Sequence, residues 1–123
     1  MPDLEVEKQL AVWVRKERRG RYRATVPGRR SQALLLNSNT LDMDLAEEFY
    51  PSDSAEVVEI LRRAGAPARC YVIAHELEGE HVDLPTGVDA AMTTGEGFVS
   101  CIHGRLAYVQ LEDWGRIDLL LRR

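Results

Sequence analysis

The sequence DSAEVVEILRRAGAPARCYVIAH, residues 53–75, contains the clearest helix signal and the clearest strand signal of the 123-residue chain. Asp53 followed three residues later by Glu56 is a capping-box pattern, which marks a helix N-terminus. Apolar side chains then recur on one face at helical spacing, and a Gly and a Pro end the pattern. Residues 69–75 form an apolar run that is typical of a strand covered on both faces. A helix over about 53–64 followed by a buried strand is therefore predicted.

The C-terminal third of the chain is rich in strand signals. Two apolar runs, residues 98–102 and 106–111, flank the Gly-containing turn pattern of residues 103–105. A third run, residues 117–121, follows residues 112–115, which have the composition of a hairpin loop. Three consecutive antiparallel strands are therefore predicted in this part of the chain.

The N-terminal segment, residues 4–19, fits two patterns. The first is an amphipathic helix that ends at Gly20, with its apolar face formed by Val6, Leu10, Trp13 and Val14. The second is a β-hairpin over residues 10–26, because apolar and polar side chains alternate on both sides of an Arg-Gly turn. We adopt the hairpin, followed by a further strand at residues 32–36.

Length and composition predict one domain over residues 1–123, since 45% apolar and 29% charged residues are typical of globular proteins. We expect an α+β fold in two layers: a mainly antiparallel sheet of about five to seven strands, with one principal helix at about 53–64 on one face. Residues 84–87 are predicted as a turn, with one short helical turn over residues 88–92.

Several sequence features bear on the cellular compartment. No apolar run approaches the roughly 20 residues that span a bilayer, and the N-terminus lacks the basic start and apolar stretch of a signal peptide. We therefore expect a cytoplasmic protein with no membrane contact. In that compartment Cys70 and Cys101 are expected to be reduced thiols. No cofactor is predicted.

The charges are sorted along the chain. Residues 1–36 carry nine Lys or Arg and four Asp or Glu, so their net charge is +5, whereas residues 37–61 carry seven acids and no base. Such asymmetry indicates two oppositely charged surfaces. The candidate binding residues are Arg15, Arg18, Arg19, Arg21 and Arg23 in the basic region 15–30, and Asp42, Asp44, Glu47 and Glu48 in the acidic region 42–59.

This sorting favours a contact surface over a reaction. We interpret the chain as a small non-enzymatic protein-interaction or self-associating module, whose partner is another protein or a second copy. The alternative is a nucleic-acid-binding domain that uses the cluster from Arg15 to Arg30. Against that alternative, a chain with an isoelectric point near 5.4 lacks the domain-wide positive charge of such proteins.

Two histidine patterns are weak candidates for chemistry. His75, His81 and Asp83 are residue types that ligate metals, but the spacing of a His-Glu-x-x-His motif is missing and a polar loop between strands is the simpler interpretation. Cys101 and His103 would share one side of a regular strand, as a thiolate–imidazole pair requires. A metal- or thiol-dependent hydrolase is the least favoured hypothesis, and no catalytic or metal site is predicted.

Overall fold

The computed structural model describes residues 2–74, 77–111 and 116–122. Within these residues the helices are α1 (Leu4–Gln9), α2 (Lys16–Thr25), α3 (Arg29–Leu35), α4 (Ser54–Arg63) and α5 (Leu84–Thr94), with short 3-10 helices at Leu10–Trp13 and Met43–Leu45. The strands are β1 (Ala46–Phe49), β2 (Arg69–Ala74), β3 (Glu78–Asp83), β4 (Gly97–Ile102), β5 (Leu106–Gln110) and β6 (Ile117–Leu121). They form one antiparallel sheet in the order β1-β6-β5-β4-β2-β3. The predicted α+β class and mainly antiparallel sheet are confirmed.

The helix α4 begins where the capping pattern predicts. The carboxylate of Asp53 accepts a hydrogen bond of 2.9 Å from the backbone N–H of Glu56, and the carboxylate of Glu56 accepts one of 2.6 Å from the backbone N–H of Ser52. These two bonds satisfy backbone donors that the first helical turn leaves free. The following strand β2 lies between β3 and β4 and is buried from Cys70 to Ala74, as predicted for a strand covered on both faces.

The C-terminal strands also follow the prediction. β4, β5 and β6 are consecutive neighbours in the sheet, and residues 103–105 form the turn between the first two. The predicted hairpin loop at residues 112–115 lies outside the described residues, as does His75.

Alternate side chains of the strands fill two separate cores. One core, which includes Val72, Val99 and Tyr108, packs against α4 and α5. The other core contains Tyr71, Ile73, Phe98, Val109 and Leu120, and it packs against the N-terminal helices. The sheet therefore lies between two helical layers, and the prediction of a two-layer fold with one principal helix omitted the second of them.

The predicted N-terminal hairpin is wrong, and the residues assigned to it belong to the second helical layer. Residues 4–35 form three helices, and the region of the expected strand at 32–36 lies mostly in α3. Tertiary hydrogen bonds hold α2 in place: the Tyr22 hydroxyl donates to the Glu7 carbonyl at 2.5 Å, and Arg19 Nε donates to the Val14 carbonyl at 2.9 Å. These tertiary contacts favour the helix over the strand. The local sequence alone does not distinguish the two, because it fits both patterns.

Residues 84–87 are the first turn of α5 rather than a separate turn. The carboxylate of Asp83 accepts a hydrogen bond from the backbone N–H of Thr86 at 2.8 Å, and Pro85 suits the start of a helix because it needs no donor there. Gly87 lets the helix approach β2, since a Cβ at this position would lie 2.5 Å from Cys70 Sγ. None of the helices within the described residues is long and apolar enough to cross a membrane.

Candidate functional site

The helix α2 displays most of the basic cluster to solvent. Tyr22 is the one buried side chain of α2, all of whose residues the structure describes. The other residues of this helix are exposed or half-buried. Five exposed side chains of the cluster from Arg15 to Arg30 make neither an ion pair within 4 Å nor a hydrogen bond in the part of the chain that the structure describes: Lys16, Arg18, Arg21 and Arg23 on α2, and Arg30 on α3. We call these five residues the basic face. Their charges are not neutralised within one copy of the protein.

Two other basic residues of the cluster, Arg15 and Arg19, donate hydrogen bonds that stabilise the fold. Arg19 donates from Nε to the Val14 carbonyl and from Nη2 to the Val12 carbonyl, at 2.9 and 3.2 Å. Arg15 Nε donates to the Leu41 carbonyl at 3.0 Å. Because a buried backbone carbonyl requires a partner, Arg15 and Arg19 serve in part to complete the hydrogen bonding of the 3-10 helix and of residue 41.

The predicted acidic residues lie along one edge of the sheet. We call Asp42, Asp44, Glu47 and Glu48 the acidic segment; they occupy the second 3-10 helix with its flank and the edge strand β1. Glu48 lies 3.7 Å from Arg116, whereas the first three have no cation within 4 Å among the described residues. Tyr50 follows β1 and is 71% exposed, the highest value among the large apolar side chains that the structure describes.

The basic face and the acidic segment adjoin at one point. An isolated bridge joins Val14 to Leu41, and the backbone N–H of Arg15 donates to the Thr40 carbonyl at 2.8 Å. A cleft of about 280 Å³ opens there, lined by Arg15, Lys16, Asp42 and Asp44 among others. Among the described residues, however, no ion pair within 4 Å joins the basic face to the acidic segment.

A buried polar cluster, which the sequence analysis missed, connects the N-terminal helices to the sheet. Glu7 is fully buried, and its Oε2 accepts hydrogen bonds from the Tyr71 hydroxyl at 2.5 Å and from Gln32 Nε2 at 3.1 Å. The Tyr22 hydroxyl donates to the Glu7 carbonyl, so α1, α2, α3 and β2 all contribute. Glu7 Oε1 has no partner among the described residues. If residues 4–19 are read as a helix, Glu7 lies on its apolar face, and this position could have indicated a buried carboxylate.

The surface next to this cluster carries two histidines. Tyr71 accepts a hydrogen bond from the backbone N–H of Asp3 at 2.8 Å, and Asp3 Oδ2 lies 2.9 Å from His81 Nε2. The hydrogen bond between the Asp3 carboxylate and the His81 ring lowers the pKa of Asp3. The His103 ring lies 6.2 Å from the His81 ring, and its pKa is lowered by partial burial and by His81. The contact between Asp3 and His81 joins the N-terminal segment to the edge strand β3.

The weak metal candidates do not come together. His81 pairs with Asp3, whereas the carboxylate of Asp83 caps α5 through the backbone N–H of Thr86. His75 lies outside the described residues. Within the residues that are described, no group of three or more His, Cys, Asp or Glu side chains could hold a metal ion.

Cys101 and His103 do not share one side of a strand as expected. The register of β4 shifts between Ser100 and Ile102, and the strand ends before His103. Cys101 therefore packs in the core beneath α4 and α5, whereas the His103 ring contacts Tyr71 and its Nδ1 is hydrogen-bonded to Ser100 Oγ at 2.7 Å. Burial raises the pKa of Cys101 to about 12, so the thiolate is scarce at neutral pH.

Comparison of the chain with protein-family models, with curated proteins and with solved structures gives no match.

Proposed function

We propose that the protein is a non-enzymatic cytoplasmic interaction module that self-associates, with the basic face of one copy against the acidic segment of another. The observation that carries this proposal is the clustering on α2 and α3 of five exposed bases whose side chains have no partner among the described residues. Unneutralised charges of opposite sign on one chain favour pairing between copies.

The adjacency of the two charged surfaces supports a two-fold arrangement. A symmetric dimer uses the same patch on both copies, so that patch must be self-complementary. A patch that is basic on one side and acidic on the other, with its junction at the cleft between Arg15 and Asp42, meets this requirement. A two-fold axis near the cleft would place each basic face over the partner's acidic segment.

The expected affinity follows from the number of pairs. Three carboxylates of the acidic segment have no cation within 4 Å among the described residues. A symmetric dimer therefore forms about six new exposed pairs, worth together about 3 kcal/mol. Tyr50, packed on an arginine of the partner, would add about 1 kcal/mol in each half. The loss of translational and rotational freedom on association opposes this gain, so we expect a weak dimer that forms at high protein concentration and low salt. Because the contacts are exposed and ionic, salt should weaken them strongly.

Nucleic-acid binding is the second candidate, and one specific observation favours it. A groove of about 560 Å³ lies between α2 and α3, with Arg21 and Arg30 among its lining residues and an apolar wall formed by Ala33 and Leu34. Two arginines beside an apolar surface suit a phosphate with an adjoining base. The net charge of −4 over the chain opposes it.

Analytical ultracentrifugation tests self-association, at about 0.02 M and about 0.5 M salt. We expect dimer at low salt and monomer at high salt. The triple variant Arg18→Glu, Arg21→Glu, Arg23→Glu should stay monomeric at both. The matched control Arg62→Glu, Arg105→Glu, Arg122→Glu changes the net charge equally at exposed positions outside the basic face, and should retain the dimer.

The same variants separate the two candidates. A monomer at low salt that binds a duplex or single-stranded oligonucleotide, and that loses this binding in the basic-face variant, would replace self-association by nucleic-acid binding. Equal loss of the dimer in the basic-face variant and in the control would contradict the role of the basic face.

A further inference from the structure

A two-lobed groove runs along α3 and shares Ala33 with the groove that Arg21 and Arg30 line. The first lobe has a volume of about 440 Å³ and lies against the C-terminal end of β2, where Ile73 forms part of its wall. The second lobe, of about 590 Å³, extends to Leu111 and Arg116. Leu36 and Glu96 line both lobes and therefore mark the point where they meet. Each volume falls within the range of small-molecule sites.

The charges of the groove are neutralised at both ends but not at its centre. At one end Arg29 lies 3.5 Å from Glu78, and at the other Arg116 lies 3.5 Å from Asp118. Glu96 is half-buried, and its carboxylate has no ion-pair or hydrogen-bond partner in the described part of the chain. Of the four charged residues that line the groove, Glu96 is therefore the one without an ion-pair partner among the described residues.

The backbone position of Glu96 is fixed by local structure. The helix α5 ends at Gly95, which has a positive φ of 75°, and the Thr94 hydroxyl donates to the Glu96 carbonyl at 2.8 Å. Glu96 is thus held between the end of a helix and the start of β4. The side chains of Leu36 and Leu111, both half-buried, supply apolar surface beside it.

We propose that this groove binds a small organic cation with an apolar body, whose ammonium or guanidinium group pairs with Glu96 while its body lies against Leu36. A carboxylate beside apolar surface attracts a cation more strongly than one in open solvent, since the local dielectric constant is lower. A single carboxylate offers too few ligands for a metal ion, which leaves the organic cation as the matching class. This site is independent of the proposed self-association.

Isothermal titration calorimetry and two-dimensional NMR with 4-phenylbutylammonium as the probe test this site. 4-Phenylbutanol and 4-phenylbutyrate have the same apolar body with a neutral and an anionic end. We expect the amine to bind about tenfold more tightly than the alcohol, and the anion not to bind, because a charge-assisted pair contributes more than a neutral hydrogen bond. The amide signals of Leu36, Ile73 and Glu96 should move together.

The variant Glu96→Gln should lower the affinity for the amine about tenfold and leave the affinity for the alcohol unchanged. The control Glu59→Gln alters an exposed carboxylate on α4, on the other side of the sheet, and should change neither affinity. Equal binding of all three probes, or an unchanged amine affinity in Glu96→Gln, would overturn the proposal. Tighter binding of the peptide Ala-Phe-Lys-Ala than of the amine would overturn the assignment to a small molecule.

Discussion

The substitution Tyr71→Phe should destabilise the protein by about 3 kcal/mol, because the Tyr71 hydroxyl connects α1 to the sheet. This hydroxyl donates to Glu7 Oε2 at 2.5 Å and accepts from the backbone N–H of Asp3 at 2.8 Å. A buried hydrogen bond to a carboxylate contributes about 1.5–3 kcal/mol, and a buried group left without its partner adds a desolvation cost of similar size. Glu7 would then keep a single side-chain donor, Gln32 Nε2.

Urea unfolding followed by circular dichroism measures this difference, with Tyr108→Phe as the matched control. Tyr108 is also a fully buried sheet tyrosine, but its hydroxyl makes one long bond of 3.3 Å to Gln110 Oε1. We expect the control to lose about 1 kcal/mol, with the urea dependence unchanged in both variants. Equal losses in the two variants would refute the role assigned to the buried cluster.

Three further predictions concern the same region and the thiols. Gly79→Ala should cost about 2–3 kcal/mol in urea unfolding, because Gly79 has a φ of +90° and a Cβ there would overlap the Tyr71 hydroxyl; an equally stable variant would contradict this. The hydrogen bond to His81 lowers the pKa of Asp3 in the folded protein below its usual 3.8. The contribution of ionised Asp3 to the free energy of unfolding is therefore complete above pH 3.8, and it is lost as the pH falls through the pKa of Asp3 in the folded protein. Asp3→Asn should flatten the acid side of a plot of melting temperature against pH, and an unchanged acid side would count against the pair. Cys101, with its pKa raised to about 12, should resist a thiol reagent near pH 8 until the protein is unfolded, whereas rapid labelling of the folded protein would contradict its burial.

Elements with a local stop or start signal could be predicted from the sequence. Asp53 and Glu56 form the cap that their spacing indicates, and the turn at residues 103–105 joins the strands expected on either side of it. In both places the deciding interactions lie within a few residues of one another, so that a single sequence contains them.

The N-terminal helices could not be predicted in this way, because long-range contacts decide them. An alternating pattern and a helical pattern both place Tyr22 inside and its arginine neighbours outside. What selects the helix is the hydrogen bond from Tyr22 to Glu7 and the bonds from Arg19 to residues 12 and 14. The pairing of Glu7 with Tyr71 spans 64 residues and has no local signature.

The candidate arginines were expected on a hairpin, and the structure places them on and beside a helix. The candidates Arg18, Arg21 and Arg23 are exposed on a helix rather than on a hairpin, whereas Arg19 is engaged with backbone carbonyls. Charge sorting along a chain reports which residues repel or attract, but the fold determines which of those charges remain unpaired.

A mixing experiment tests the central proposal most directly. One variant carries Arg18→Glu, Arg21→Glu and Arg23→Glu, and the other carries Asp42→Arg, Asp44→Arg and Glu47→Arg, the three acids of the segment that have no cation within 4 Å among the described residues. In the first variant both surfaces then carry a net negative charge, and in the second both carry a net positive charge, so each variant alone should be monomeric in low-salt ultracentrifugation. An equimolar mixture should form a heterodimer, because each altered surface then meets a surface of opposite charge on its partner. A mixture that stays monomeric, while the unaltered protein dimerises under the same conditions, would contradict pairing of the basic face with the acidic segment.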